Sequence, residues 1–331
     1  MILASAPVRV CDIGGWTDTW FGGPGRVVNI AVTPGVEVSI RTASGPDPVV
    51  LDVENFGDRY PIVPGAPRVP RHPLLEAAVD LLPPPGDLCV AVCVRCAVPA
   101  GCGTGTSAAV AVALLGGLAA LRGEQPARRD VAYAAHRLEV DVVGAQSGIQ
   151  DQLSSAFGGI NYLEIDPYPE ATVRRLPSWE ELGTLLSLVF LGRAHDSSGV
   201  HRHVIEEVQR RGSGAFSRLR DTATAARDAV LARDIDAFGR AMIANTDAQR
   251  CLHPELVGRD ATVTMAVAGA QGALGWKVNG AGGDGGSVTF LSATPQAKAA
   301  LEHRVAALDA RYRVLPVTIS EAGLQFQGST A

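Results

Sequence analysis

Pro99-Ala100-Gly101-Cys102-Gly103-Thr104-Gly105-Thr106-Ser107-Ala108-Ala109 joins a strand-like run, Leu88 to Val98, to an apolar, alanine-rich run, Ala108 to Leu121. Three alternating glycines let a backbone turn its N–H groups toward a ligand with no Cβ in the way. The helix predicted to follow adds unpaired N–H groups and the positive end of its dipole, so the stretch suits an anion. Thr106 and Ser107 stand at the helix entry, where a hydroxyl serves as a cap or reaches a metal ion. A triphosphate cradle is the first expectation. The same pattern also describes a plain strand-to-helix turn. It is not a Walker loop, because no Gly-Lys-Ser/Thr follows, and its glycine spacing is not the dinucleotide G-x-G-x-x-G.

Composition narrows the partners. With 331 residues the chain is long enough for two domains. Hydrophobic residues at 47% against charged residues at 19% describe a chain that buries a sizeable core. A net charge of −5 and a pI near 5.8 argue against nucleic acid, which needs a basic face. Cys89, Cys93 and Cys96 have a spacing that invites a zinc site. Val90, Val92 and Val94 alternate through them, so a strand would divide the thiols between its faces, and buried small hydrophobes in a reducing compartment are the expectation. Met1 to Pro7 has no basic leader and no apolar run reaches membrane-spanning length, which predicts a cytoplasmic protein without a membrane partner.

Periodicity orders the chain. Strands are expected at Val8 to Ile13, Val27 to Val32, Gly35 to Arg41, Pro48 to Val53 and Ile160 to Ile165, with helices at Pro73 to Leu82 and Ala127 to Val143. Pro167 to Pro177 reads as a connection, and a domain boundary is placed at 180/181. Beyond it come a β run, Leu185 to Leu191, and helices at Gly199 to Gln209, Gly214 to Ala232, Ile235 to Gln249 and Pro254 to Gln271. Strands near Gly275 to Val278 and Ser287 to Leu291, a helix at Pro295 to Arg311 and a last strand at Tyr312 to Ile319 precede a frayed tail from Gln327. The second half is expected to be an α+β layer pair.

Three glycine-rich stations stand far apart: Gly14-Gly15-Trp16-Thr17-Asp18, the loop at 101–107, and Gly280-Ala281-Gly282-Gly283-Asp284-Gly285-Gly286. Their order, over nearly the whole chain, resembles the three signature motifs of the GHMP superfamily of small-molecule kinases. The central motif of that family reads Pro-x-x-x-Gly-Leu-x-Ser-Ser; here Thr104 replaces the usual leucine and Thr106 the first serine. Ala6-Pro7-Val8-Arg9-Val10 with Gly14 to Asp18, and Gly148-Ile149-Gln150-Asp151-Gln152 with Gly158-Gly159-Ile160-Asn161, look most like the sugar 1-kinase branch of heptose 7-phosphate kinases and fucokinases. Galactokinase carries Glu-His where this chain has Gly15-Trp16.

The resemblance implies a two-domain α+β GHMP kinase fold. Residues 1–180 would form a mixed α/β domain of ribosomal protein S5 domain 2-like topology, and residues 181–331 a ferredoxin-like α+β domain. It implies ATP and Mg²⁺ as cofactors and a sugar or sugar-phosphate hydroxyl, the anomeric one, as acceptor; whether the chain is a monomer or a homodimer stays open. Asp151 would be the base or orienting carboxylate, with Arg9 beside it. Gly101, Cys102, Gly103, Thr104, Gly105, Thr106 and Ser107 would hold the phosphates. Glu139 with Thr106 or Ser107 would hold the metal, and Trp16, Thr17, Asp18, Gly282 and Gly283 would meet the acceptor. Each has a plainer alternative in the sequence: Glu139 a solvated helix face, Asp151 an N-cap, Asp18 a turn former, Gly282 and Gly283 a turn between strands. His195-Asp196-Ser197-Ser198 is a candidate near the acceptor, and Arg174, Arg175, Arg193 and Arg202 are candidates for a sugar phosphate. Asn55 to Pro73 is the expected adenine region. A catalytically silent sensor on the same fold is the alternative of another class.

Overall fold

The computed structural model describes residues 1–86, 88–194, 202, 204–208, 210, 212 and 216–328. The chain begins with β1 (Ile2–Ile13) and β2 (Gly25–Thr42), a long antiparallel pair whose inward side chains are almost entirely buried. Valine and isoleucine suit such pleated, half-buried surfaces. β2 takes up both strands expected between Val27 and Arg41. β3 (Val49–Val53), β4 (Asp58–Ile62) and β5 (Val90–Cys96) extend the sheet, β3 and β5 forming a parallel pair. β6 (Ile160–Ile165) and β7 (Ala171–Arg175) continue it from the other half of β2.

Helices cover one face of this sheet. α1 (Pro73–Leu81), α3 (Arg128–Arg137) and α4 (Gln150–Phe157) surround α2 (Thr106–Leu121), which is buried on nearly every side. That explains its composition: an all-round apolar helix of alanine, valine and leucine has no solvent face to mark. The helix expected from Ala127 to Val143 is α3 followed by a π-helical turn, Leu138–Val142. β5 corrects one expectation: Val90, Val92 and Val94 face the core, while Cys89, Cys93 and Cys96 are only part-buried. Cys93 donates to Glu54 at 3.2 Å and Cys89 to the Gly45 carbonyl at 3.3 Å.

The second half starts at α5 (Glu180–Leu185) and β8 (Leu186–Phe190). α6 (Ser217–Ala232) and α7 (Ile235–Leu252) form a hairpin, α6 against β2 and α7 against β9 (Gly275–Val278) and β1. The helix expected from Pro254 to Gln271 is a 3₁₀ turn, Pro254–Leu256, and then α8 (Arg259–Ala270). The break at Val257 lets that residue bridge to Gly283. β10 (Ser287–Leu291), α9 (Pro295–Ala306) and β11 (Arg313–Leu315) complete a four-stranded antiparallel sheet of order β11-β8-β10-β9. In chain order this is fourth-first-third-second, the ferredoxin-like arrangement. Pro316 stops β11, and the last expected strand is divided in two. β12 (Thr318–Ile319) crosses to pair with β2, and β13 (Gln325–Gly328) pairs with Ile2–Ser5 of β1, so Gln327 lies in a strand rather than a frayed tail. Among the described residues no helix is long and apolar enough to cross a membrane.

Candidate active site

The glycine loop leaves β5 and enters α2 with Gly101, Gly103 and Gly105 all at positive φ. Gly105 is the N-cap of α2, and the first helical bond closes from the Ala109 N–H to its carbonyl. The N–H groups ahead of it thus lie outside the helical ladder, at the positive end of the dipole. They face a cleft of about 350 Å³ lined by the whole 101–107 loop, by Arg9, Asp12, Trp16, Asp18 and Thr19, by Glu139, by residues 145–148 with Gln150 and Asp151, and by Gly280 and Ala281.

Asp151 sits in the first turn of α4, where β1 delivers Arg9 across from it. Arg9 Nε reaches Asp151 Oδ1 at 2.8 Å and Nη2 reaches Oδ2 at 3.0 Å, a bidentate pair. Arg9 Nη1 also donates to the Gly103 carbonyl, and its backbone N–H donates to Thr104 O at 2.9 Å, so the glycine loop is tied to the ion pair. Burial disfavours the Arg9 charge, yet Asp151 and Asp12 together more than offset this and hold the guanidinium above its ordinary pKa.

Behind Arg9 the charges alternate into the second half of the chain. Asp12 lies 3.9 Å from Arg9 Nη1 and 3.3 Å from Lys277 Nζ. It also accepts the Gly280 N–H on both oxygens, at 3.2 and 3.1 Å. Lys277 is fully buried and donates as well to Gln249 Oε1 at 3.0 Å and to Val278 O. Asn279 accepts the Cys11 N–H at 3.1 Å, and Ser287 donates to Cys102 O at 2.7 Å. The first, second and third glycine stations are therefore joined through buried polar atoms.

Glu139 lies on the π-helical turn after α3, a kind of irregularity frequent at functional sites. Its carboxylate is buried, accepts from Gln152 Nε2 and faces the Ser107 hydroxyl. Burial pushes its pKa up to about 7, against the pull of the Ser107 and Gln152 hydrogen bonds. Asp18, 2% exposed, is likewise pushed up to about 7, first by burial and then by the charge of Asp151, while the Gln150 N–H opposes the shift at 3.2 Å. Gly148 has to be glycine here, since a Cβ on it would stand 1.9 Å from Asp18 Oδ2.

The structure thus brings together Arg9, Trp16, Asp18, the loop 101–107, Glu139 and Asp151. It does not bring Thr17, Gly282 or Gly283 to the cleft. The Thr17 hydroxyl donates to Gly14 O at 2.7 Å and accepts the Arg26 N–H at 3.0 Å, bracing its own loop. Gly282 and Gly283 pack on Leu256 and Val257, and their neighbours Gly280 and Ala281 line the cleft instead. Cys102 and Thr104 line the loop with fully buried side chains. Asp284 is exposed beside Gly258. Arg174, Arg175 and Arg193 are paired with Glu164, Glu321 and Asp260, and Arg202 is exposed. His195 to Ser198, His201 and His203 lie outside the described residues. Asp12, Gln150, Gln152, Lys277 and Asn279 join the site or its support without any local sequence pattern that assigns them a role. A Gly105→Ala exchange would place a Cβ 2.9 Å from Asp151 Oδ2 at a φ of +68°. It should lower turnover by about 10²-fold in an ADP-release assay, because a small shift of the reacting geometry is costly, and lower the melting temperature by a few degrees through the strained backbone.

A glycine loop at a helix N-terminus, a buried Arg–Asp pair and a carboxylate–hydroxyl set thus meet at one cleft. The GHMP kinases N terminal domain matches residues 74–159. A mevalonate kinase from Methanothermobacter thermautotrophicus is 31% identical over 234 residues, 69% of this chain and 71% of that one. The chain belongs to the GHMP kinases. A bifunctional fucokinase/GDP-fucose pyrophosphorylase from Arabidopsis thaliana is 26% identical over 88% of this chain and 30% of its own length. The fold matches a D-glycero-D-manno-heptose 1-phosphate kinase from Bacteriodes thetaiotaomicron at a TM-score of 0.80, with 19% identity and both chains fully covered.

Proposed function

We propose that this chain is an ATP- and Mg²⁺-dependent kinase that transfers the γ-phosphoryl group to a sugar or sugar-phosphate hydroxyl, the anomeric one, in the manner of heptose 7-phosphate kinases. The observation that carries the reading is the bidentate Arg9–Asp151 pair tied to the Gly103 and Thr104 carbonyls. It sets a carboxylate against the phosphate loop, where an acceptor hydroxyl has to lie in line with the transferred group. Asp151 orients that hydroxyl or takes its proton, and Arg9 neutralises charge as the oxygen attacks.

The loop N–H groups and the α2 N-terminus would hold the triphosphate. Among the described residues no three His, Cys, Asp or Glu side chains cluster as a metal cage. Glu139 with the Ser107 and Thr106 hydroxyls makes a hard-oxygen set of the kind Mg²⁺ takes when phosphate oxygens and waters supply the rest. Bound there, Mg²⁺ would neutralise phosphate charge. Asn55, which exchanges hydrogen bonds with the Cys96 backbone at 2.7 and 2.6 Å beside the base of the loop, marks the proposed adenine side.

A free sugar, fucose-like or galactose-like, is the second reading. Four carboxylates, Asp12, Asp18, Glu139 and Asp151, line the cleft, and among its described lining residues Arg9 is the only Lys or Arg. ADP release over a panel of free and phosphorylated sugars, with the product's phosphate position assigned by NMR, tests the proposal. An anomeric phosphate is expected. A product phosphorylated at another carbon would overturn the anomeric assignment, and nucleotide binding without turnover of any sugar would favour the silent sensor.

A further inference from the structure

Lys277 belongs to β9 in the second half of the chain, is 1% exposed and does not line the cleft. A lysine at that depth is costly unless its charge is paired and its N–H groups are bonded. Nζ has three partners for its three N–H groups: Asp12 Oδ1 at 3.3 Å, Gln249 Oε1 at 3.0 Å and the Val278 carbonyl. Two of the three lead to one residue. Asp12 accepts the Gly280 N–H on both oxygens, and Gln249 Nε2 donates to the Gly280 carbonyl at 3.2 Å. Gly280 in turn lies against the glycine loop, where a Cβ on it would stand 2.8 Å from the Gly103 carbonyl oxygen. That same oxygen accepts from Arg9 Nη1.

The charges follow the same route. From Asp151 through Arg9 and Asp12 to Lys277 the signs alternate, and Arg9, Asp12 and Lys277 are all buried. Arg9 stands 2.8 Å from Asp151 and 3.9 Å from Asp12, so its guanidinium is committed to the carboxylate at the cleft. Among the described residues Asp12 is paired with two cations, Lys277 and Arg9. Take Lys277 away and Asp12 keeps Arg9 alone, and in a poorly screened interior it competes with Asp151 for that one cation. We propose that Lys277 is a positioning residue for phosphoryl transfer: by holding Asp12 and, through Asp12 and Gln249, the Gly280 peptide, it keeps Arg9 on Asp151. The assignment rests on the kinase reading above and adds to it a side chain that meets no reacting atom.

The test measures kcat, KM, nucleotide affinity and thermal melting on the full chain with a sugar turned over by the wild type. Lys277→Met is compared with the charge-neutral pair Asp12→Asn/Lys277→Met. The single variant should lose about 10²-fold in kcat, the cost of a small displacement of reacting groups, while nucleotide affinity stays within a few-fold. The double variant, with no second carboxylate contesting Arg9, should regain at least about tenfold of that loss. Should Lys277→Met not fold, Lys277→Gln, whose amide still donates to Asp12, takes its place with the same expectations. A folded single variant with kcat near wild type would overturn the assignment. So would a double variant whose melting temperature recovers while kcat does not, since Lys277 would then serve stability alone. Both results leave the kinase reading standing, whereas a wild type that binds nucleotide yet phosphorylates no sugar would overturn both.

Discussion

Replacing Asp151 by Asn is expected to lower kcat by on the order of 10³-fold, within the range general acid–base groups contribute, while nucleotide affinity stays near wild type. The carboxylate is held on both oxygens by Arg9 and is part-exposed to the cleft, with a side-chain exposure of 21%. An amide fills the same space, can no longer take a proton from an acceptor hydroxyl, and would have to turn its NH₂ away from the guanidinium. Steady-state ADP release, nucleotide titration and a thermal melt on the same preparation separate the outcomes. Turnover within a few-fold of wild type would remove Asp151 from the chemistry. A variant equally weak in nucleotide binding would point to a role in holding the loop through Arg9 instead.

Glu139→Gln should have the second largest effect, a loss of roughly 10²-fold in Mg²⁺-dependent turnover, accompanied by a change in pH behaviour. The Glu139 carboxyl has a folded-state pKa of about 7 against an ordinary value of 4.5. Protons would therefore compete with a metal held there below about 7, and the apparent Mg²⁺ affinity of the wild type should weaken by about tenfold per pH unit on acidification. The same shift acts on stability. Between 4.5 and about 7 the folded protein holds a proton that the unfolded chain has released, so raising the pH through this window lowers folding stability. Asp18 contributes with the same sign. Above about 7 the loss is complete, and the amide variant, which never has to bury a charge, should melt a few degrees higher than wild type without metal. Titration of Mg²⁺ affinity at several pH values checks the first part and calorimetry across the same range the second. A wild-type Mg²⁺ affinity flat from pH 6 to 8 would sink the assignment of Glu139 to the metal.

Much of the architecture was legible because it is written locally. The alternation of β1 and β5, the glycines at 101, 103 and 105, and the apolar run after them carry their meaning within a dozen residues. The ferredoxin-like second sheet followed from the alternation of strands and helices together with family resemblance. What was not legible lies in long-range pairing. Asp12 and Gly280 are 268 residues apart, and nothing near Asp12 marks it as the partner of Lys277. Glu139 stands out through the family resemblance, but the π-helical turn that carries it has no sequence signal, and the pattern from Ala127 to Val143 reads as one continuous helix. Thr17 and Gly283 were assigned by motif membership, whereas their neighbours Asp18 and Gly280 reach the cleft, because a motif marks a turn without saying which of its residues faces inward.

The buried series Arg9, Asp12, Lys277 also bears on the order in which this enzyme is made. Domains emerge from the ribosome N-terminal end first. When Arg9, the glycine loop and Asp151 have all been synthesised, the lysine that balances Asp12 and the strand that pairs with Ile2–Ser5 are still to come. Until Lys277 arrives, Arg9 alone faces both Asp12 and Asp151, an excess of negative charge that disfavours tight packing around it. The charge balance of this buried series is therefore completed only by the second half of the chain, which makes the two halves one electrostatic unit.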